Sequence, residues 1–156
     1  MTFSQIARDP PKPPVVLVVD DDPGVRGDMA SALRSSGFAV EEAENGAAAA
    51  AVCRARPDEI AVVLIDVQVS ELDGFQALQA IRRVDPLVRC FLMTGDPGAY
   101  TPADLDWVGA ERVFGKPLDI PAVIRAITGA GAGRGAATDE ARPGLPDPFA
   151  PADDAE

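Results

Sequence analysis

The stretch VVLVVDDDPGVR, Val15 to Arg26, decides how this chain is read. Five consecutive apolar residues have the length of a strand covered on both faces, the pattern of a parallel sheet. They run straight into three adjacent carboxylates, Asp20, Asp21 and Asp22. Like charges so placed repel one another. A fold that keeps them at the end of a buried strand therefore needs a cation or a positive side chain beside them.

Similar apolar runs recur at Phe38–Val40, Ile60–Ile65, Arg89–Met93 and Arg112–Phe114, most of them uninterrupted rather than alternating. Helical segments lie between them. Val25, Met29 and Leu33 fall at i, i+4 and i+8, with Gly37 as a stop; Asn45 caps an alanine-rich helix through Arg56 that Pro57 ends. Phe75, Leu78 and Ile81 mark a third helical face, terminated by Pro86. Thr101-Pro102-Ala103-Asp104 reads as a cap, a proline at the first helical position and an acidic first turn, which predicts a short fourth helix around Leu105–Val108. Asp119 caps a last helix carrying Val123, Ile124 and Ile127. Five strands alternating with five helices select a doubly wound α/β domain over a sandwich or a bundle.

The 156 residues suffice for one core. The formal charge of −11 divides into +1 for residues 1–14, −8 for 15–128 and −4 for 129–156, so no segment offers the basic patch that direct nucleic-acid binding needs. Cys53 and Cys90 sit in predicted element interiors without metal or disulfide spacing and read as reduced, buried and structural. Residues 1–14 lack the pattern of a signal peptide, and no apolar stretch has membrane-spanning length, from which a cytoplasmic protein is expected. Residues 129–156, rich in Gly, Ala, Pro and acid, are expected to form a disordered tail, with Phe149 a possible docking element within it.

In a doubly wound sheet the ligand site lies beyond the carboxyl ends of the strands, at the switch in strand order. Asp20 and Asp21 follow the first strand, Asp66 ends the third, Thr94 ends the fourth and Lys116 follows the fifth, so all five converge on one rim. Each alone is weak, since an Asp after a strand is most often a turn former or helix cap. Together they have a chemical logic. Asp66 can act as nucleophile toward phosphorus and form an acyl phosphate if charge on the transferred oxygens is neutralised. Asp21, Asp66 and a backbone carbonyl offer hard oxygen ligands to Mg²⁺. Lys116 supplies a compact cation, and the Thr94 hydroxyl a hydrogen-bond donor.

With these residues in place, VVDDDP, LIDVQVSELDG, MTG and GKP resemble, in order, the acidic pair, phosphorylated-aspartate segment, threonine position and lysine-proline turn of the receiver domains of two-component response regulators. The resemblance spans residues 15–128. It implies a flavodoxin-like five-stranded parallel sheet of order 2-1-3-4-5, for which the chemotaxis receiver is a standing example. It also implies a histidine kinase or phosphotransfer protein as donor to Asp66, and Mg²⁺ organised by Asp20 and Asp21 with the Gln68 carbonyl as a further ligand. Gly74, after Asp73, fits the turn before the third helix. The chain departs from the family pattern at Ser70, where Pro is frequent, at Val113, where an aromatic often stands, and in the turn-rich segment GDPGAYTPADLDW after Thr94.

The expected function is that of a stand-alone phospho-accepting switch, not an enzyme with a turnover substrate, that signals to an unknown protein target by binding or by relay. Two other readings stay open at this stage. One is a degenerate receiver that binds without phosphorylation. The other is an aspartate-nucleophile phosphohydrolase, against which Gln68 stands where that class generally has a second carboxylate.

Overall fold

The computed structural model describes residues 13–67 and 74–129. The chain alternates β1 (Val15–Val19), α1 (Pro23–Ser35), β2 (Ala39–Ala43), α2 (Gly46–Ala55), β3 (Ile60–Asp66), α3 (Gly74–Val84), β4 (Arg89–Thr94), α4 (Pro102–Val108), β5 (Arg112–Gly115) and α5 (Ile120–Gly129), with a 3-10 turn at Pro97–Ala99. All strand pairs are parallel and the sheet order is β2-β1-β3-β4-β5, the flavodoxin-like arrangement.

Unbroken apolar runs become strands buried on both faces. Val15, Leu17 and Val19 face a core shared with α2, α3 and α4, whereas Val16 and Val18 face one shared with α1 and α5. Every residue of β1 and β4 is buried. The predicted second strand is displaced: it begins at Ala39 and runs through the acidic pair Glu41 and Glu42 into Ala43. Its apolar content is sparse because β2 is an edge strand. Glu41 pairs with Arg56 at 2.6 Å, and Glu42 lies 3.4 Å from Arg26 and 3.5 Å from Arg34, so ion pairs replace a second apolar face.

Caps fix the helices that return the chain to the site. Asn45 accepts from the Ala48 N–H at 2.8 Å and Asp119 from the Ala122 N–H at 3.2 Å, as their positions in the sequence predict. Gly37 has φ +97, the left-handed conformation that ends α1 and lets Phe38 turn into the core. Cys53 and Cys90 are both buried, and burial pushes the Cys90 thiol up to about 12.

Candidate functional site

β1 and β3 are neighbours in the sheet while the chain leaves β1 toward β2, so the strand order reverses at their carboxyl ends and leaves a crevice there. Asp20 stands one residue past β1, and Asp66 is the last residue of β3. The β3–β4 register pairs Asp66 with Met93, which puts Thr94 one step further toward the same rim on the adjoining strand. Lys116 follows β5 and precedes a cis peptide bond to Pro117; its backbone N–H donates to the Thr94 carbonyl at 2.8 Å. Parallel strands of unequal length thus deliver four polar side chains to one end of an apolar sheet.

The Lys116 ammonium donates to Asp66 Oδ2 at 2.7 Å and to Asp20 Oδ2 at 3.0 Å. Asp20 and Asp66 are buried, and the ammonium between them is half-buried. Burial alone pulls the Lys116 pKa down, but the hydrogen bonds and charges of Asp66 and Asp20 outweigh it and hold the amine above its ordinary value. Part of the repulsion in the DDD run is therefore offset from within the chain, by a residue 96 positions away from Asp20.

The three aspartates of that run have three different environments. Asp20 is buried, its Oδ1 accepting from the Asp22 N–H at 3.0 Å. Asp21 is exposed. Asp22 is the N-cap of α1, accepting from the Gly24 and Val25 N–H groups at 2.9 and 3.2 Å, so for this one member the turn-former reading is the right one. Carboxylate oxygens of Asp20, Asp21 and Asp66 all lie within 4.8 Å of one another, a cluster of hard donors suited to a small divalent cation.

Two contributors escape sequence reading. Arg26 of α1 donates from Nη1 to the Asp20 carbonyl at 2.7 Å, fixing the backbone that aims Asp20. Its only signal is a place at the end of the first turn of the helix after the acidic run. The Asp96 N–H donates to Thr94 Oγ1 at 3.2 Å, which occupies a lone pair and leaves the hydroxyl proton to be donated elsewhere. Gln68, Ser70 and Asp73 lie outside the described residues. Val113 is half-buried in β5 and packs on the face shared with α4.

A parallel sheet of order 2-1-3-4-5 with a lysine-bridged acidic cluster at its switch point defines a flavodoxin-like α/β module with an acidic pocket, and comparison with known proteins gives the family. The model of the response regulator receiver domain matches residues 16–128, and the chain belongs to that family. Transcriptional regulatory protein GlrR of Escherichia coli (strain K12) is 31% identical over 129 residues, which cover 83% of this chain and 29% of that protein. The chain thus spans less than a third of that relative's length. Sporulation initiation phosphotransferase F of Bacillus subtilis (strain 168) is 31% identical over 117 residues, 72% of this chain and 89% of that one. The crystal structure of a response regulator receiver domain protein from Clostridium thermocellum shares the fold, with a TM-score of 0.66 at 24% identity over 74% of this chain and 92% of that one.

Proposed function

We propose that Asp66 accepts a phosphoryl group from the phosphohistidine of a histidine kinase or phosphotransfer protein, and that the chain signals through a protein partner or by passing the group on. A carboxylate oxygen of Asp66 forms the new O–P bond as the P–N bond of the donor breaks, and the imidazole leaves with a proton from solvent. The observation that carries this reading is the Lys116 ammonium seated 2.7 Å from Asp66 and 3.0 Å from Asp20. That cation is already placed for the charge that develops on the transferred oxygens.

Asp20, Asp21 and Asp66, together with the Gln68 carbonyl, are the proposed holders of Mg²⁺, which when bound supplies Lewis-acid neutralisation of phosphoryl charge. The rest falls to this chain's own groups. Lys116 exchanges its bond to the Asp66 carboxylate for one to a phosphoryl oxygen. The Thr94 hydroxyl, its lone pair engaged by Asp96, donates to another. Arg26 holds the Asp20 backbone in position throughout. Residues 15–128 are proposed as the working unit, its acidic surface favouring a protein partner over nucleic acid.

Intact mass after incubation with acetyl phosphate and Mg²⁺ tests the reading, with EDTA and Asp66→Asn as controls. One added phosphoryl group that needs the metal and disappears in the variant is expected. No gain, with no beryllofluoride-dependent shift in amide spectra, would leave a module that binds without phosphorylation.

A further inference from the structure

Asp21 is the exposed member of the acidic cluster, yet the backbone on either side of it is braced. Arg26 Nη1 donates to the Asp20 carbonyl at 2.7 Å, and the Arg26 N–H donates to the Asp22 carbonyl at 2.9 Å. The Asp22 N–H in turn donates to Asp20 Oδ1 at 3.0 Å. These three bonds close a ring that spans Asp21. The Asp20 carbonyl belongs to the planar unit that ends at the Asp21 Cα, so a donor fixed on that oxygen fixes the plane along which Asp21 leaves the strand.

Arg26 is itself held from the edge of the sheet. Its Nε is buried and makes no hydrogen bond among the described residues, and Glu42 Oε1 lies 3.4 Å away as its counter-charge. Glu42 Oε2 lies 3.5 Å from Arg34 Nη2, which also donates to the Val40 carbonyl at 3.1 Å. Side-chain exposure falls from 50% at Arg34 through 32% at Glu42 to 18% at Arg26, so the row leads from solvent to the pocket. β2 also accepts the Asp20 N–H, at the Ala43 carbonyl, 3.2 Å away. Both backbone groups of Asp20 are thus set from the β2 side, one directly and the other through Glu42 and Arg26.

The charges argue for positioning. A lone guanidinium beside a divalent-cation pocket would weaken the ion's binding by repulsion. Paired with Glu42, it keeps its hydrogen bond to the Asp20 carbonyl at a reduced electrostatic cost.

We propose that Arg26, neutralised and oriented by Glu42, is a positioning residue that holds the Asp20–Asp21 peptide for Mg²⁺ and sets the pocket's preference for that ion over Ca²⁺. This role rests on the reading above that Asp20, Asp21 and Asp66 hold Mg²⁺. Mg²⁺ demands near-octahedral ligands at short distance, whereas Ca²⁺ accepts irregular sets, so a loosened Asp21 penalises Mg²⁺ more.

Calorimetric titration of the unphosphorylated full chain with Mg²⁺ and with Ca²⁺ is the test, on variants that urea titration shows to be folded. Arg26→Met and Arg26→Lys are each expected to weaken Mg²⁺ about tenfold and Ca²⁺ roughly twofold, since a lysine keeps the charge but lacks the fork that serves carbonyl and carboxylate together. Glu42→Gln, which leaves the guanidinium uncompensated, is expected to weaken both ions alike, by an amount that added salt reduces. Tighter binding of both ions by Arg26→Met, with Arg26→Lys unchanged, would overturn the proposal, because charge alone would then explain Arg26. Equal losses of Mg²⁺ and Ca²⁺ in both Arg26 variants would overturn it as well. If Arg26→Met does not fold, Arg26→Lys decides, by the same shift in the Mg²⁺-to-Ca²⁺ ratio. A wild-type chain that binds neither ion would overturn the metal-holding reading and this role with it, whereas variants that match a binding wild type would overturn this role alone.

Discussion

At the scale of single residues, Lys116 dominates the electrostatics of the rim. Its amine is held above the usual lysine value, so the stability it contributes is fully present below the unfolded pKa of about 10.4 and is lost as pH rises through the higher folded value. Lys116→Met is expected to cost roughly 1 kcal/mol at neutral pH, a modest figure because the ammonium is partly solvated. The two proteins should converge in denaturant midpoint above about pH 10.5. Both keep the buried Cys90 thiol, which also destabilises the fold as pH rises toward about 12, so the difference isolates the lysine. Parallel curves across that range would contradict the pairing. The two cysteines make a separate expectation. Ellman's reagent should find neither thiol in the native chain and both in denaturant, because each is buried.

At the scale of elements, α4 is the helix whose ends matter most. It has seven residues, none of them buried, and so depends on its caps. Thr101 and Asp104 form a reciprocal capping box, with bonds of 2.8 and 3.1 Å. The backbone bond from Thr101 holds the Asp104 carboxyl below its ordinary value, so the box weakens as pH falls through that range. At the other end Gly109 is left-handed at φ +78, and Arg82 of α3 donates to its carbonyl. Thr101→Ala should cost about 1 kcal/mol of helix stability, seen as roughly fivefold faster amide exchange in α4 and reported by Trp107, the single tryptophan. Gly109→Ala should cost about 1–2 kcal/mol in the conformation alone, and its Cβ would also meet Arg82 Nε at 3.0 Å.

This helix also shows what the sequence makes legible. The TPAD run announced α4 because caps and proline act through adjacent residues. The Arg82 clamp did not show, since it joins positions 27 apart. β2 was misplaced for a related reason: its charged residues are satisfied by Arg26, Arg34 and Arg56, which no local pattern reveals. The convergence of Asp20, Asp66, Thr94 and Lys116 was legible because parallel topology fixes which strand ends meet. How Lys116 divides itself between two carboxylates, and which of three aspartates caps a helix, required the backbone geometry.

At the scale of the whole molecule, Arg89 ties together the pole opposite the rim. Though buried, it makes a two-pronged bond to Glu111 at 2.8 Å on each arm and donates to the Ile127 and Ala126 carbonyls at 3.1 and 3.2 Å. Its guanidinium also lies 5.3 Å over the Phe91 ring. One side chain thereby joins β4, the turn before β5, and the unpaired carbonyls at the end of α5. Arg89→Met should lower global stability by about 3 kcal/mol in urea titration. Glu111→Gln should cost less, because Glu111 is partly solvated and the carbonyl contacts remain.

The chain holds two lysines, and Lys116 is the one within the receiver unit. Acylating reagents attack the neutral amine, and two carboxylates hold this one as ammonium in a partly covered setting. Lys116 should therefore be modified later in the native chain than in the denatured one. Whatever draws Asp66 away from Lys116 should change that delay, so an inexpensive amine-labelling time course followed by peptide mass mapping becomes a gauge of how the rim is occupied, without any partner having to be known.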